Sequence, residues 1–306
     1  MKDKKINVGG QAVVEGVMIR GPSAYVVAVR KDKRILTKTA SIKKKKHKFL
    51  RWPFFRGFAN LADMLVIGMK SLLWSAEQAG NEEEKLGKTE LFFTLMVSIL
   101  FVILFFIVLP YFIAHLVGYT EEKRPVMFNV IDGIVRISIF LIYIFIISFM
   151  SDVRVLFQYH GAEHKAIHCY EKGKKLSFEH VKKFTTLHPR CGTSFLLIVF
   201  IVSVFVFSLL PTTIIFYYPA FTSINFFLRK GILIAIRILL IPLIAGVSYE
   251  ILKISDKKQG SAFFRLISFP GLLLQKITTK EPTRAQIKVA IASLKKLLAT
   301  ETKNRN

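Results

Sequence analysis

Acidic residues are scarce in this chain: 20 Asp and Glu stand against 45 Lys and Arg in 306 residues, a formal charge of +25. Charged residues of both signs make up only 21%, against 52% apolar. An ordinary soluble chain carries about 25% charged residues near balance, and a disordered one is poor in apolar residues, so both classes are excluded. A nucleic-acid binder can carry such a surplus, but not together with 28 Phe and a mean hydropathy of +0.44. Cysteine is nearly absent, with Cys169 and Cys191 alone. The glycines from Gly9 to Gly21 are not followed by Gly-Lys-Ser/Thr, which argues against a phosphate loop, and no internal repeat is visible. What the chain does have is long uncharged runs.

From Leu91 to Val117 there is no Asp, Glu, Lys or Arg. About 20 apolar residues cross a hydrocarbon core, so this run predicts a spanning helix. Ser194 to Leu228 is uncharged over a longer distance; it predicts a span to about Leu210, then an aromatic interfacial segment around Pro211, Tyr217, Tyr218 and Pro219. Two further spans carry charges: Val130 to Met150, with Asp132 and Arg136 near its start, and Gly231 to Leu252, with Arg237 inside and Glu250 at its end. Lone intramembrane charges are costly, so Asp132, Arg136 and Arg237 are expected to pair near the outer face.

The basic residues fix the expected orientation. Nineteen precede Glu90, eight lie between Ser151 and Thr193, twelve follow Leu252, and only two lie in each of the other two loops. By the positive-inside rule both termini and the middle loop are expected to be cytoplasmic. Glu15 splits the short apolar stretch near the N-terminus, so no cleaved signal is expected. In that reducing compartment the two cysteines read as thiols or ligands, with Cys169 a small packed thiol.

The first 40 residues read as a small β unit, with Ala24 to Arg30 returning through Lys31-Asp32-Lys33 to Arg34–Thr39. A basic run at Lys43 to Lys46, Lys48 and Arg51 precedes Trp52-Pro53-Phe54-Phe55. It reads as an anchor to anionic inner-leaflet lipids, with an RNA site as the sharper alternative. Phe58 to Trp74 predicts an amphipathic interfacial or packed helix. Phe263 to Ile277 is similar but broken into two short pieces at Pro270-Gly271, and Thr283 caps an amphipathic helix to Leu298. The expected organisation is a cytoplasmic N-terminal region over 1–89, a four-span region over 90–252 with a His-rich loop at 151–193, and a C-terminal region of amphipathic helices over 253–306.

Five of the seven histidines lie in that middle loop. His160-Gly161-Ala162-Glu163-His164 is an H-x-x-E-H pattern in a segment that can be helical from Ser151 to Glu171. At 100° per residue His160, His164 and Glu171 fall within about 40° of one another, flanked by Glu163 and His168. Histidines at i and i+4 can share a metal, and the adjoining glutamate can act as general base on the attacking water. Gly161 weakens the helix slightly but admits a ligand or another backbone. A catalytic zinc takes three protein ligands, and the third is open among His188, Cys191 and Glu250. The plainer alternative is a set of hydrogen-bonded structural histidines on a polar surface.

Four blocks of the chain together resemble the YqhQ-like family of bacterial membrane proteins. They are Gly9 to Pro22, Tyr159 to Lys165 (Tyr-His-Gly-Ala-Glu-His-Lys), His188 to Phe195 (His-Pro-Arg-Cys-Gly-Thr-Ser-Phe), and Phe269-Pro270-Gly271-Leu272 with Thr278 to Pro282. That family is a domain of unknown function often labelled a predicted metal-dependent enzyme. The resemblance implies a metal site and makes Glu15, Arg20, Arg190 and Cys191 candidates for one site.

The expectation is therefore a mainly α-helical membrane protein with about four transmembrane helices, a small N-terminal β unit and amphipathic interfacial or cytoplasmic helices. A divalent metal, zinc in the first instance, is expected on His160, His164, His188 and Cys191, with Glu163 catalytic in hydrolysis of a membrane-proximal substrate, peptide or lipid-linked. The expected partners are the bilayer, anionic inner-leaflet lipids and a cytoplasmic protein; nucleic acid is not expected, because the charge surplus follows topology. Two alternatives stand beside the hydrolase: a non-catalytic membrane scaffold and a transporter component using Asp132, Arg136 and Arg237.

Overall fold

A computed structural model describes residues 5–42, 52, 55–80, 88–119, 124–257 and 261–304. The basic run from Lys43 to Arg51, with its lipid-anchor and RNA readings, lies outside the described residues. Four strands open the fold: β1 (Gly9–Val13), β2 (Gly16–Arg20), β3 (Ala24–Lys31) and β4 (Arg34–Ser41). They pair antiparallel in the order β1-β2-β3-β4, so β1 and β4 are the edges. The hairpins turn at Val14-Glu15 and Asp32-Lys33, where Glu15 and Asp32 take the positive φ values of 49° and 54°.

Side chains alternate across a sheet, and the sequence keeps both sets apolar. Val17, Ile19, Ala24, Val26 and Ala28 pack on one face with Tyr159, Ala162, Ile287, Leu294 and Leu297. Val13, Met18, Val27 and Val29 pack on the other with Ile67, Met64 and Trp74. The sheet is therefore sandwiched between α1 (Phe55–Ala79) and the pair α5 (Ser151–Glu171) and α10 (Arg284–Lys303). The α10 cap is the one expected: Thr283 and Gln286 form a capping box. Glu301 fastens the far end of α10 to the sheet, accepting from the backbone N–H groups of Ser23 and Ala24 at 2.7 and 3.0 Å.

Four helices are long and apolar enough to cross a membrane: Phe92–Leu116, Val126–Ile147, Gly192–Tyr217 and Phe227–Ser255. The first joins α2 (Lys88–Ile103) and α3 (Leu109–Leu116) through a π segment, Leu104–Val108, just before Pro110, whose missing N–H interrupts the regular ladder. The others lie in α4 (Pro125–Ile147), α7 (Gly192–Tyr217) and α8 (Phe226–Lys257). Two sequence expectations are corrected. α7 continues through Pro211 to Tyr217 instead of ending about Leu210, and α9 (Ala262–Thr278) is one helix through Pro270 rather than two pieces. A proline in a helix frees one carbonyl, and packing against neighbouring helices offsets that cost: Pro211 is buried, and α9 is pressed onto α7 at Gly271, where a Cβ would strike the Ser194 side chain.

Of the charges inside the spans, Asp132 and Arg136 form the expected ion pair, whereas Arg237 bonds a neutral amide. Arg136 bonds Asp132 at 2.8 Å, and Arg237 of α8 donates to Asn129, one turn earlier on α4, at 2.9 Å. Glu250 accepts two hydrogen bonds from Arg56 of α1 at 2.6 and 2.5 Å, tying the end of the fourth span to the first helix.

Candidate metal centre

The helix predicted over Ser151 to Glu171 is α5. Its central turn is buried on every side, with Tyr159, Ala162, Glu163, His164 and Lys165 all enclosed. Gly161 permits this: a Cβ there would collide with the Lys280 carbonyl, so the strap after α9 lies directly on the helix. The facing wall is the short helix α6 (Phe178–Val181) and the segment from Thr185 to Cys191 leading into α7. Gln275 of α9 holds that segment, accepting from the His188 N–H at 2.7 Å and donating to the His188 carbonyl and Ser194 Oγ at 2.9 and 3.0 Å.

His160, His164 and Cys191 each offer one donor atom within 4.8 Å of the other two. Their orientation matters more than their proximity. His160 Nδ1 donates to the Thr278 carbonyl at 2.8 Å, and His164 Nδ1 donates to the Thr186 carbonyl. Both rings are thus held as the tautomer with a free lone pair on Nε2. His160 Nε2 lies 3.2 Å from Cys191 Sγ, which also meets Thr193 Oγ1 at 3.2 Å. A carbonyl on one ring nitrogen and the other nitrogen aimed inward is the arrangement that orients metal-ligating histidines. Donors on a tetrahedral zinc stand about 3.3–3.8 Å apart, so closing the trio on an ion needs less than about 1 Å of movement per donor. The donor set fits zinc.

Glu163 is 3% exposed, and its Oε2 lies 3.7 Å from His164 Nε2. Burial pushes its carboxyl upward, opposed by the charges of His160 and His188. Burial also pushes His164 below the usual imidazole range, so the ring is neutral and its lone pair available. A bound cation would reverse the first effect and draw Glu163 into its ionised form. Glu163, His164, His188, Arg190 and Cys191 line a cavity of about 40 Å³ with Val8, Gly9 and Gly10, room for a few water molecules.

The structure places His188 outside this trio. It stands with His168 and Glu171 in a neighbouring group whose donor atoms also lie within 4.8 Å. Its Nδ1 accepts the Arg190 N–H at 3.2 Å and its Nε2 donates to Glu171 Oε2 at 3.3 Å, so both ring nitrogens are used. Arg190 also pairs with Glu171. His168 donates through Nε2 to the Leu187 carbonyl at 2.8 Å, and burial first of all lowers it to about 4. Glu250, the remaining candidate ligand, is held by Arg56 instead. Of the residues implicated by resemblance, Cys191 is in the trio and Arg190 beside it. Glu15 accepts from the buried Tyr159 hydroxyl at 3.0 Å, and Arg20 faces Asp63 at 3.7 Å, both joining the sheet to its flanking helices. Cys169 is fully buried and its thiol is pushed up by burial, as suits a packed side chain. Sequence reasoning missed the Thr186 and Thr278 carbonyls and Gln275; only the helical stripe 160-164-168-171 set against the His188-x-x-Cys191 spacing could have hinted at two adjoining groups.

Comparison with known proteins covers nearly the whole chain. Residues 52–300, which include the trio and Glu163, match the model of a family described as protein of unknown function (DUF1385). The uncharacterized protein YqhQ of Bacillus subtilis (strain 168) is 34% identical over 310 residues, spanning 96% of this chain and 92% of its own length. No solved structure matches the chain. On a family model that takes in both the four apolar helices and the histidine-bearing α5, and on that full-length similarity, the chain belongs to the DUF1385 family that includes YqhQ.

Proposed function

We propose that this protein is a metal-dependent hydrolase of the bacterial inner membrane, with a divalent metal, zinc by donor chemistry, on His160, His164 and Cys191 and with Glu163 as general base. The observation that carries this is the convergence of two tautomer-locked Nε2 atoms and one thiol within 4.8 Å beside a buried carboxylate. When bound, the metal supplies Lewis-acid polarisation of the scissile bond and of water. The chain's own residues do the rest. Thr278 and Thr186 hold the imidazoles in register, and Glu163 takes the proton of the attacking water and returns it to the leaving group.

Both termini and the 151–193 region face the cytoplasm on this proposal, since 39 of the 45 basic residues lie in those segments. The substrate is then membrane-proximal, and anionic inner-leaflet lipids are the surface partner. The same basic surplus favours a second reading, a scaffold that recruits an acidic cytoplasmic partner. The test uses full-length protein purified in detergent. About one equivalent of zinc is expected, lost in the double variant His160→Ala/His164→Ala and kept in Glu163→Gln, whose turnover falls at least about 100-fold. Less than about 0.2 equivalents, unchanged by the double variant, overturns the metal centre. Full function in Glu163→Gln favours the scaffold.

A further inference from the structure

β1 is an edge strand, and Gly9 and Gly10 at its start line the cavity that Glu163, His164 and Cys191 also line. The direction of its main-chain groups follows from its neighbours. The Glu15 carbonyl accepts from the Arg30 N–H at 2.8 Å, so Glu15, Val17 and Ile19 turn their backbone groups toward β3. Gly16, Met18 and Arg20 then turn toward β1, where their partners are Val13, Gln11 and Gly9. Gly10 and Ala12 therefore point their N–H and C=O groups away from the sheet. Val14, next in that row, confirms the direction: its N–H reaches out to Ser75 Oγ of α1 at 3.1 Å. Among the described residues the Gly10 and Ala12 backbone groups have no partner.

Unpaired N–H and C=O groups repeating every second residue are a template for one kind of ligand, another extended backbone. Two glycines stand at the start of this edge. A Cβ built on Gly9 meets nothing within 4 Å, and Gly10 sits so close that Glu163 Cγ lies 3.1 Å from where its Cβ would be. Val8, Gly9 and Gly10 line the same cavity as Glu163, His164 and Cys191, so a main chain added along β1 reaches the mouth of that cavity. We propose that the ligand of this site is an extended polypeptide segment that adds to β1 as a fifth strand, which makes an amide the bond presented to the metal centre.

This inference rests on the hydrolase proposal for its chemistry and not for its docking. In the reaction the water oxygen bonds to the amide carbonyl carbon, the C–N bond breaks, and the water's proton passes through Glu163 to the departing amine. Polar side chains of the substrate are not selected by this mode; main-chain pairing supplies the affinity, and only residues facing the cavity are read.

The experiment places the photo-cross-linker p-benzoylphenylalanine at Gly9 of the full-length protein and adds a pool of unstructured peptides of about ten residues. Cross-linking is expected at Gly9 and not at the same reporter on Thr37 of the far edge β4. It should fall at least about fivefold with Ala12→Pro, which deletes one outward N–H at an edge position that tolerates proline. A pool N-methylated at alternate amides should lose cross-linking equally. Equal yields at Gly9 and Thr37, indifference to Ala12→Pro and N-methylation, or a cross-linked pair of copies of this chain overturns the proposal. Zinc content separates the two claims. Zinc bound without peptide capture sinks the docking alone, and peptide capture persisting in a protein that binds no zinc sinks the metal centre alone.

Discussion

Two groups of three ligand-type residues lie side by side, each joining two residues of the α5 stripe to one from the segment leading into α7, and their hydrogen bonding differs. His160, His164 and Cys191 turn lone pairs inward, because backbone carbonyls occupy the outer ring nitrogens. Glu171 and His188 turn their polar atoms on each other and on Arg190, and His168 Nε2 donates to the Leu187 carbonyl. The second group holds the Arg190 guanidinium, paired with Glu171. The difference teaches that residue type and spacing make a ligand set only after hydrogen bonds have decided which atoms are left over.

The sharpest way to break this comparison is to remove one histidine from each group. His164→Ala should weaken zinc binding at least about 100-fold, since it deletes a direct ligand from a three-ligand set. His168→Ala should change zinc affinity less than about threefold, because His168 stands in the neighbouring group and not among the trio's donors. Competitive zinc titration with a chromophoric chelator measures both. Comparable losses in the two variants would mean that the groups act as one larger site.

A milder perturbation is Glu171→Gln, which leaves Arg190 and the His188 Nε2–H facing a neutral amide. Zinc should stay at about one equivalent while the midpoint of thermal unfolding in detergent drops by about 2–4 °C, the scale for losing a charge-assisted network at a partly exposed site. A fall from two equivalents of zinc to one would show instead that the second group holds a metal of its own.

Much of this was legible in the sequence, for physical reasons that can be traced residue by residue. The four spans follow from uncharged runs, α5 was bounded correctly because its polar stripe has helical period, and Thr283 announced α10 because an N-cap is a local event. Gly161 was legible as a close approach, though nothing local named the Lys280 carbonyl as its visitor. The choice among His188, Cys191 and Glu250 was not legible. It depends on Gln275 gripping the backbone of His188 from a helix 87 residues away, and on Arg56 claiming Glu250 across 194 residues. The two groups that fix the histidine tautomers are main-chain carbonyls, which every residue possesses, so they leave no mark in a sequence. The prolines misled in the other direction: Pro211 and Pro270 break isolated helices, but here tertiary packing carries both helices past them.

The subtlest test uses pH. Burial lowers His168 to about 4, below its ordinary value of 6.5, so the unfolded chain binds a proton there before the folded one does. Stability linked to His168 is therefore present above about pH 6.5 and lost progressively as pH falls toward 4. Glu163 is shifted the other way: its raised carboxyl binds a proton in the folded state first, and its contribution is present below its unfolded value and lost as pH rises through the folded one. In metal-free protein Glu163 opposes His168 and His164, which burial lowers as well, and only the difference between variants isolates any one of them. His168→Phe keeps a flat ring beside Phe184, against which the imidazole is stacked at 6.4 Å between centroids, and removes the titration. Its unfolding midpoint should vary less than that of the parent between pH 7 and pH 5, with the parent losing more on the acid side. A parent that gains stability on acidification across that window would place the dominant buried proton on Glu163 instead, and would make the metal-binding group, not its neighbour, the pH-sensitive half of the pair.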